Sequence, residues 1–304
     1  MRGPAERYLK AARRESTLRR YGQAVAHFEG EWGGLLPASS ESVVRYLAEH
    51  AELLSSSTLR THLAALAQWH KRHGFLDPTK APKVRDVLRG IQAEHPRPVQ
   101  QAEALPLQAL EECLAGLAEQ ATSTAAGVRL RALRDQALIL LGFWRAFRSD
   151  DLCRLRIEHI QVRTGRCLDI FLSSGKTDRD HQGRTVSVPA LKRLCPVHAY
   201  EAWLGASGLQ QGPVFRAIDR WGHVRHDGLN PNSVSRLLRN AFARNGLDGE
   251  SLSGHSLRRG FATWASHNDW STKALMDYVG WKDVQSALRY VDASAPFGDW
   301  QRKP

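Results

Sequence analysis

No apolar run in this chain approaches the roughly 20 residues that a membrane-crossing helix needs. The opening Met1-Arg2-Gly3-Pro4 leads into no apolar core of the kind that directs secretion. Cysteine is scarce. Cys113, Cys153, Cys167 and Cys195 are the only ones, and their gaps match no metal-ligand spacing. So few in so long a chain make a disulfide framework unexpected, and a reducing compartment follows. No internal repeat and no low-complexity tract is present, which excludes a solenoid. Acidic residues are short as well, with 31 Asp and Glu against 43 Lys and Arg, a formal charge of +12. Such an excess suits a polyanionic partner, nucleic acid first and an acidic membrane surface second. The expected setting is the cytoplasm, at the nucleoid. A length of 304 residues predicts two domains.

What the chain does have, over its first hundred residues, is helical periodicity. Leu18, Tyr21, Val25, Phe28 and Trp32 recur at threes and fours behind Ser16-Thr17. Ser40 to Leu54 predicts a second helix with Val43, Val44 and Leu47 inward. A third is expected from an N-cap at Ser57, through Leu59, Leu63 and Leu66, to Gly74. Its other face carries Arg60, His62, His70, Lys71 and Arg72. The fourth, Lys83 to Ile91, buries Val84, Val87 and Leu88 and exposes Lys83, Arg85 and Arg89. A solvated surface explains any one of these cations. Two successive basic faces in a four-helix unit are better explained by a duplex backbone, where Lys and Arg displace condensed counterions.

The proline-bearing stretch AEHPRPVQQAEA, residues 93–104, has no apolar period and predicts a linker. Helices resume at Leu105, and Arg129 to Arg145 predicts a strongly apolar one through Leu133, Ala137, Leu140, Leu141 and Trp144. The period then changes. Cys167 to Leu172 and Arg184 to Pro189 alternate as strands around a polar turn holding Gly175-Lys176-Thr177-Asp178, a β-hairpin and the only sheet expected. Helices follow from Pro196 to Leu204, and from Asn232 to Asn245 with Gly246 closing it. The expected class is therefore mainly α with a small antiparallel sheet.

The stretch that follows, Ser253 to Tyr290, carries the chemistry. His255 and Arg258 lie three apart, Trp281 follows 23 residues after Arg258 in Val279-Gly280-Trp281, and Tyr290 comes nine later. Each alone has a bland reading: Trp281 as core, Tyr290 as half-buried packing, His255 as a cap, Arg148 as part of a surface ion-pair cluster with Asp150 and Asp151. The ordered set is another matter. Together with Arg148, Asp151 and Leu152 in an R-x-x-[E/D]-L box and Lys176 in the hairpin, it resembles the tyrosine recombinases, the phage integrase family. Trp281, standing where most of that family has a second His, is similar to the Cre-like variant. Asp151 departs from the more usual Glu and offers Arg148 a shorter arm. The short tail after Tyr290 is the other departure, and it bears on the family's subunit-swapping contact.

The resemblance implies a helical, SAM-like core-binding bundle over residues 1–95, a linker at 96–104, and a catalytic domain over 105–304. Nothing precedes the first bundle, so no separate arm-site-binding domain is expected. The activity implied is site-specific cutting and rejoining of duplex DNA through a covalent 3′-phosphotyrosine on Tyr290, with a Holliday junction and without ATP, cofactor or metal. Arg148 and Arg258 would clamp the phosphate oxygens, with His255 and Trp281 as further N–H donors and Lys176 as general acid to the leaving 5′-oxygen. Asp151 would support Arg148. Arg60, Lys71, Arg72, Lys83, Arg85 and Arg89 are the candidate DNA contacts, and Cys153 and Cys167 are assigned to packing. The partners implied are a recombination site with inverted-repeat arms, further copies forming a tetramer on DNA from monomers, and accessory directionality factors; no membrane is implied. A type IB topoisomerase shares this chemistry and would relax supercoils without site preference. A non-catalytic architectural derivative would form no denaturation-resistant adduct.

Overall fold

The computed structural model describes residues 15–97, 102–173 and 183–288, leaving aside the side chain of Ser286. The chain divides into two compact units, Met1–Gln100 and Gln101–Pro304.

The first unit is built from α1 (Glu15–Ala26), α2 (Ser40–Glu49), α3 (Ser56–Arg72) and α4 (Pro82–Glu94). A π-turn over His27–Glu31 extends α1 and brings Phe28 fully into the core. Phe28, Val43, Leu47, Leu59, Leu66 and Val84 form that core, as the apolar stripes predict, and Tyr46 joins them. Three local expectations need correction. The helix beginning at Ser40 ends at Glu49 rather than Leu54. The cap of α3 is Ser55, whose side chain accepts from Thr58 N–H at 3.1 Å, and not Ser57, which lies inside the helix. His62 and His70, read as part of a basic face, point inward. His70 is fully buried, its Nδ1 donating to Leu66 O and its Nε2 accepting from Ala38 N–H, each at 2.8 Å. An imidazole meets both partners only as the neutral Nδ1–H tautomer, so it serves here as core and not as a cation.

The second unit opens with α5 (Leu107–Ala121) and α6 (Ala126–Trp144). Apolar nearly all round, α6 is the central helix, with Leu138, Ile139, Leu141 and Phe143 each at most 1% exposed. A short α7 (Ser149–Cys153) follows, then the antiparallel sheet β1–β2–β3: Ile160–Arg163, Cys167–Leu172 and Arg184–Pro189. The hairpin strands have the predicted bounds. Leu168 pairs with Val188 and Ile170 with Val186, and these four form the buried face. The added strand β1 continues the ladder through Val162 opposite Leu168. After α8 (Pro196–Ser207), a second hairpin, β4 (Arg216–Ile218) and β5 (Val224–Gly228), corrects the expectation of a single sheet. Strands of three and five residues are too short to show a period. Their turn is closed instead by Asp219, whose carboxylate accepts from Trp221 and His223 N–H. Then come α9 (Pro231–Arg244), α10 (Gly254–His267), α11 (Thr272–Val279) and α12 (Val284–Leu288). No helix among the described residues is long and apolar enough to cross a membrane.

Candidate active site

The site begins where α6 runs out. Its apolar run carries the chain through the core to Trp144, after which Ala146 turns back at φ +52°. A non-glycine residue in the left-handed region costs on the order of 1–3 kcal/mol and persists only where its surroundings fix it. Here they do. Ala146 is fully buried, its N–H donates to Phe143 O at 2.9 Å, and its carbonyl accepts from Arg258 Nη1 at 2.6 Å. That turn delivers Arg148 to the head of α7. Asp151 holds it there: Oδ2 accepts from Arg148 N–H at 3.2 Å and lies 3.8 Å from Arg148 Nη1. Asp151, short arm and all, thus fixes the backbone and side chain of the same arginine.

Arg258 comes from α10. Ser253 caps that helix by accepting from His255 N–H, and Ser256 Oγ returns the bond to Ser253 N–H at 3.0 Å. His255 sits in the first turn, exposed, where the partial positive charge of the helix end favours an anion. One turn deeper, Arg258 is 5% exposed and its Cζ lies 5.1 Å from the Trp281 ring centroid. The pair shares a side of the helix, as the spacing implies, yet differs completely in burial. Gly254 lets this helix start so close to α7, because a Cβ there would run into Ser149 Oγ.

Trp281 follows α11. Gly280 closes that helix at φ +73°, and the N–H groups of Gly280 and Trp281 both donate to Met276 O, at 2.8 and 3.0 Å. Arg145 secures α11 from beneath, its guanidinium 4.3 Å from the Tyr278 ring centroid and its Nη1 donating to Tyr278 O. Burial lowers the Arg145 pKa to about 10, which leaves it a cation at neutral pH. Tyr278 in turn donates to Trp144 O at 2.8 Å.

Arg148, Asp151 and Trp281 line one cleft of about 290 Å³, together with Arg184, Gly280 and Lys282. Arg258 joins them through the Trp281 ring and the Ala146 carbonyl. His255 stands at the adjoining helix start rather than in the cleft lining. Lys176 and Tyr290 lie outside the described residues. Sequence reasoning read Arg184 as the start of the second hairpin strand, and assigned no role to Arg145 or Ser149. Their signal was faint: Arg145 and Ser149 flank the Ala146-Phe147-Arg148 turn, and Arg184 opens the second hairpin strand. Burial places Cys153 in a packing role, its thiol pushed up to about 12.

In the first unit, Arg60, Lys71, Arg72, Lys83, Arg85 and Arg89 are all exposed. Arg60, Arg85 and Arg89 border a groove of about 540 Å³ floored by Pro82 and Leu88. Arg60 donates to Gln92 Oε1 at 2.8 Å, and Arg89 pairs with Asp86.

Residues 117–295 match the phage integrase family. The chain belongs to that family, the tyrosine recombinases. It is 30% identical over 304 aligned residues to an integrase/recombinase XerD homolog of Selenomonas ruminantium, covering 97% of this chain and 86% of the relative. With the Cre recombinase of Escherichia phage P1 it shares 25% identity over 274 residues, 84% of this chain and 76% of the relative. Among solved structures, the Tn1549 transposon integrase in complex with transposon right end DNA superposes with a TM-score of 0.63 at 13% identity, covering 95% of this chain and 92% of that one. A lambda integrase dimer bound to a COC′ core site gives 0.56 at 16% identity, covering 99% and 97%. These likenesses establish the recombinase fold, mostly helical with small antiparallel sheets.

Proposed function

We propose that this tyrosine recombinase cuts and rejoins duplex DNA at a specific site, with Tyr290 as nucleophile. The observation that carries the reading is the convergence of Arg148, Arg258 and Trp281 from three separated segments on one cleft and its wall. In the proposed step the Tyr290 oxygen attacks the scissile phosphorus, a phosphotyrosine bond forms, and the bond to the 5′-oxygen breaks. His255 assists removal of the tyrosine proton, and Lys176 supplies one to the leaving oxygen. The two guanidiniums and the Trp281 N–H offset the charge that builds on the non-bridging oxygens. Because the phosphotyrosine keeps the energy of the broken bond, rejoining to a second strand through a Holliday junction needs no ATP. Trp281 takes the second-histidine place, as in the Cre-like variant.

Residues 1–95 are the proposed core-binding domain and 105–304 the catalytic domain, joined by 96–104. The basic groove of Arg60, Arg85 and Arg89, with Lys71, Arg72 and Lys83, supports the first assignment. Solved relatives described as bound to a core site or to transposon end DNA support duplex DNA as the partner. A tetramer on paired sites is the proposed assembly.

The test is a pool of random-sequence duplexes, each nicked so that cleavage releases a short strand and traps the covalent complex. Denaturation-resistant adducts are recovered and sequenced. The expected result is one enriched sequence with inverted-repeat arms, and no adduct with Tyr290→Phe. A wild-type protein that traps nothing, or a Phe variant that still traps, overturns the proposal.

A further inference from the structure

Arg184, the first residue of β3, pairs across the hairpin stem with Leu172. Its side chain leaves the sheet and reaches the corner where α11 ends. A Cβ on Gly280 would stand 2.5 Å from Arg184 Nη1, 2.8 Å from Nη2 and 3.0 Å from Cζ. All three distances fall inside normal contact, and Cζ is the farthest of the three, so the Nη1–Nη2 edge of the guanidinium occupies the space where a side chain at 280 would stand. Gly280 is required for its φ of +73°, and the space its missing side chain leaves open is where the end of Arg184 lies. The placement has an electrostatic reason too. The end of α11 carries a partial negative charge, which the cations of Arg184 and Arg145 both complement. The residue after this glycine is Trp281, and Arg184 and Trp281 border the same cleft.

We propose that Arg184 is a positioning residue for the cleavage step: resting on Gly280, it fixes the direction in which Trp281 enters the cleft. Arg184 makes and breaks no bond. It ties the stem of the β2–β3 hairpin to the turn that aims the Trp281 N–H, so its removal frees that turn to rotate about Gly280. The proposal rests on the recombinase reading only for the job given to Trp281. The geometry stands apart from it.

Two measurements test it. The first needs no DNA. In protein labelled with ¹⁵N at tryptophan, the Trp281 indole resonance is identified by its loss in Trp281→Phe, and its shift is compared in wild type and Arg184→Ala. A displaced or broadened resonance is expected, and an unchanged one overturns the proposal. The second uses the duplex recovered by adduct trapping, in single-turnover cleavage at saturating protein. Arg184→Ala should slow cleavage by up to about a hundredfold, the cost of misplacing a group by about 1 Å, with duplex affinity unchanged. The Arg184→Ala/Trp281→Phe double variant should be no slower than Trp281→Phe, because both changes remove the same placement. Multiplying effects would mean that Arg184 acts on the phosphate directly and would overturn the positioning role. Arg184→Lys, which keeps the charge and loses the two-nitrogen edge, should stay slow; full rescue by Lys would also overturn it. Arg184→Met keeps the aliphatic stem and replaces the alanine variant if that one fails to fold. Absence of any adduct from wild type counts against the recombinase reading alone, while the indole shift still decides the positioning claim.

Discussion

Arg148 has two jobs to separate, charge and shape. Its backbone and side chain are both held by Asp151, so a substitution at 148 leaves the α7 cap in place while removing the guanidinium. Arg148→Ala should lower single-turnover cleavage by at least about a hundredfold, the scale for losing one preorganised donor. Arg148→Lys should recover little, because an ammonium cannot reproduce the bidentate fork. Near-wild-type cleavage by either variant would remove Arg148 from the phosphate. Lys176→Ala should behave differently. On a duplex whose 5′-bridging oxygen is replaced by sulfur, which leaves without a proton, its cleavage should return to within a few-fold of wild type. No rescue would take the general-acid role away from Lys176. Gly280→Ala should destabilise more than an exposed substitution normally does. It forces a Cβ into the left-handed region, with the end of Arg184 moving aside, and a thermal unfolding midpoint would register the backbone strain.

Within single elements, the histidines of the first unit make a pH-dependent joint. Tyr46 of α2 holds His27 Nδ1 at 2.8 Å and His62 Nδ1 at 2.5 Å through one hydroxyl. One hydroxyl has one proton, so one imidazole must accept it and the other must donate. His50 packs on His27 with ring centroids 5.1 Å apart and donates from Nδ1 to Tyr46 O, while Glu31 lies 3.6 Å from His27 Nε2. Burial, with the like charges of His27 and His50 behind it, holds His62 below its ordinary 6.5; Glu31 opposes them. A histidine depressed in the folded state takes up its proton more readily when unfolded. Its contribution is therefore fully present above about 6.5 and lost as pH falls below that value. Urea midpoints between pH 7.5 and 5 should decline in wild type and decline less in His62→Gln; parallel profiles would exclude the joint.

The same scale shows a buried charge inside α6. Asp135 receives Arg134 at 2.7 Å and Arg244 of α9 at 2.6 Å, with Arg134 and Asp135 both at most 3% exposed. Asp135→Ala would leave Arg134 uncompensated in the core, a loss of about 3–5 kcal/mol. Chemical denaturation of the variant checks it, and a loss under about 1 kcal/mol would contradict the assignment.

For the molecule as a whole, the +12 charge is the governing quantity. Duplex affinity should fall steeply with salt, and each lost phosphate contact should flatten the log–log slope by about 0.9. Arg60→Ala, Arg85→Ala and Arg89→Ala combined should therefore weaken binding across all duplex sequences and reduce the slope by about 2 to 3. An unchanged slope would move the DNA contact away from this groove.

By itself the sequence determined the mainly α class, the β2–β3 strand bounds and the family, because apolar periods and a motif in fixed order are local or countable features. The basic residues of α3 and α4 were equally legible: a long charged side chain on the polar side of an apolar stripe has nowhere to go but out. Tertiary structure alone decided what followed from contacts between distant segments. His62 and His70 turned inward because Tyr46, Ala38 and Leu66 supply their partners, which no composition reveals. Arg258 became a buried strut under the strained Ala146 carbonyl while His255, three residues away, stayed in the open. Arg145 and Arg184 gained meaning only when α6 and β3 met the end of α11. Burial and pairing are properties of neighbours in space, and a chain's order states only its neighbours in sequence.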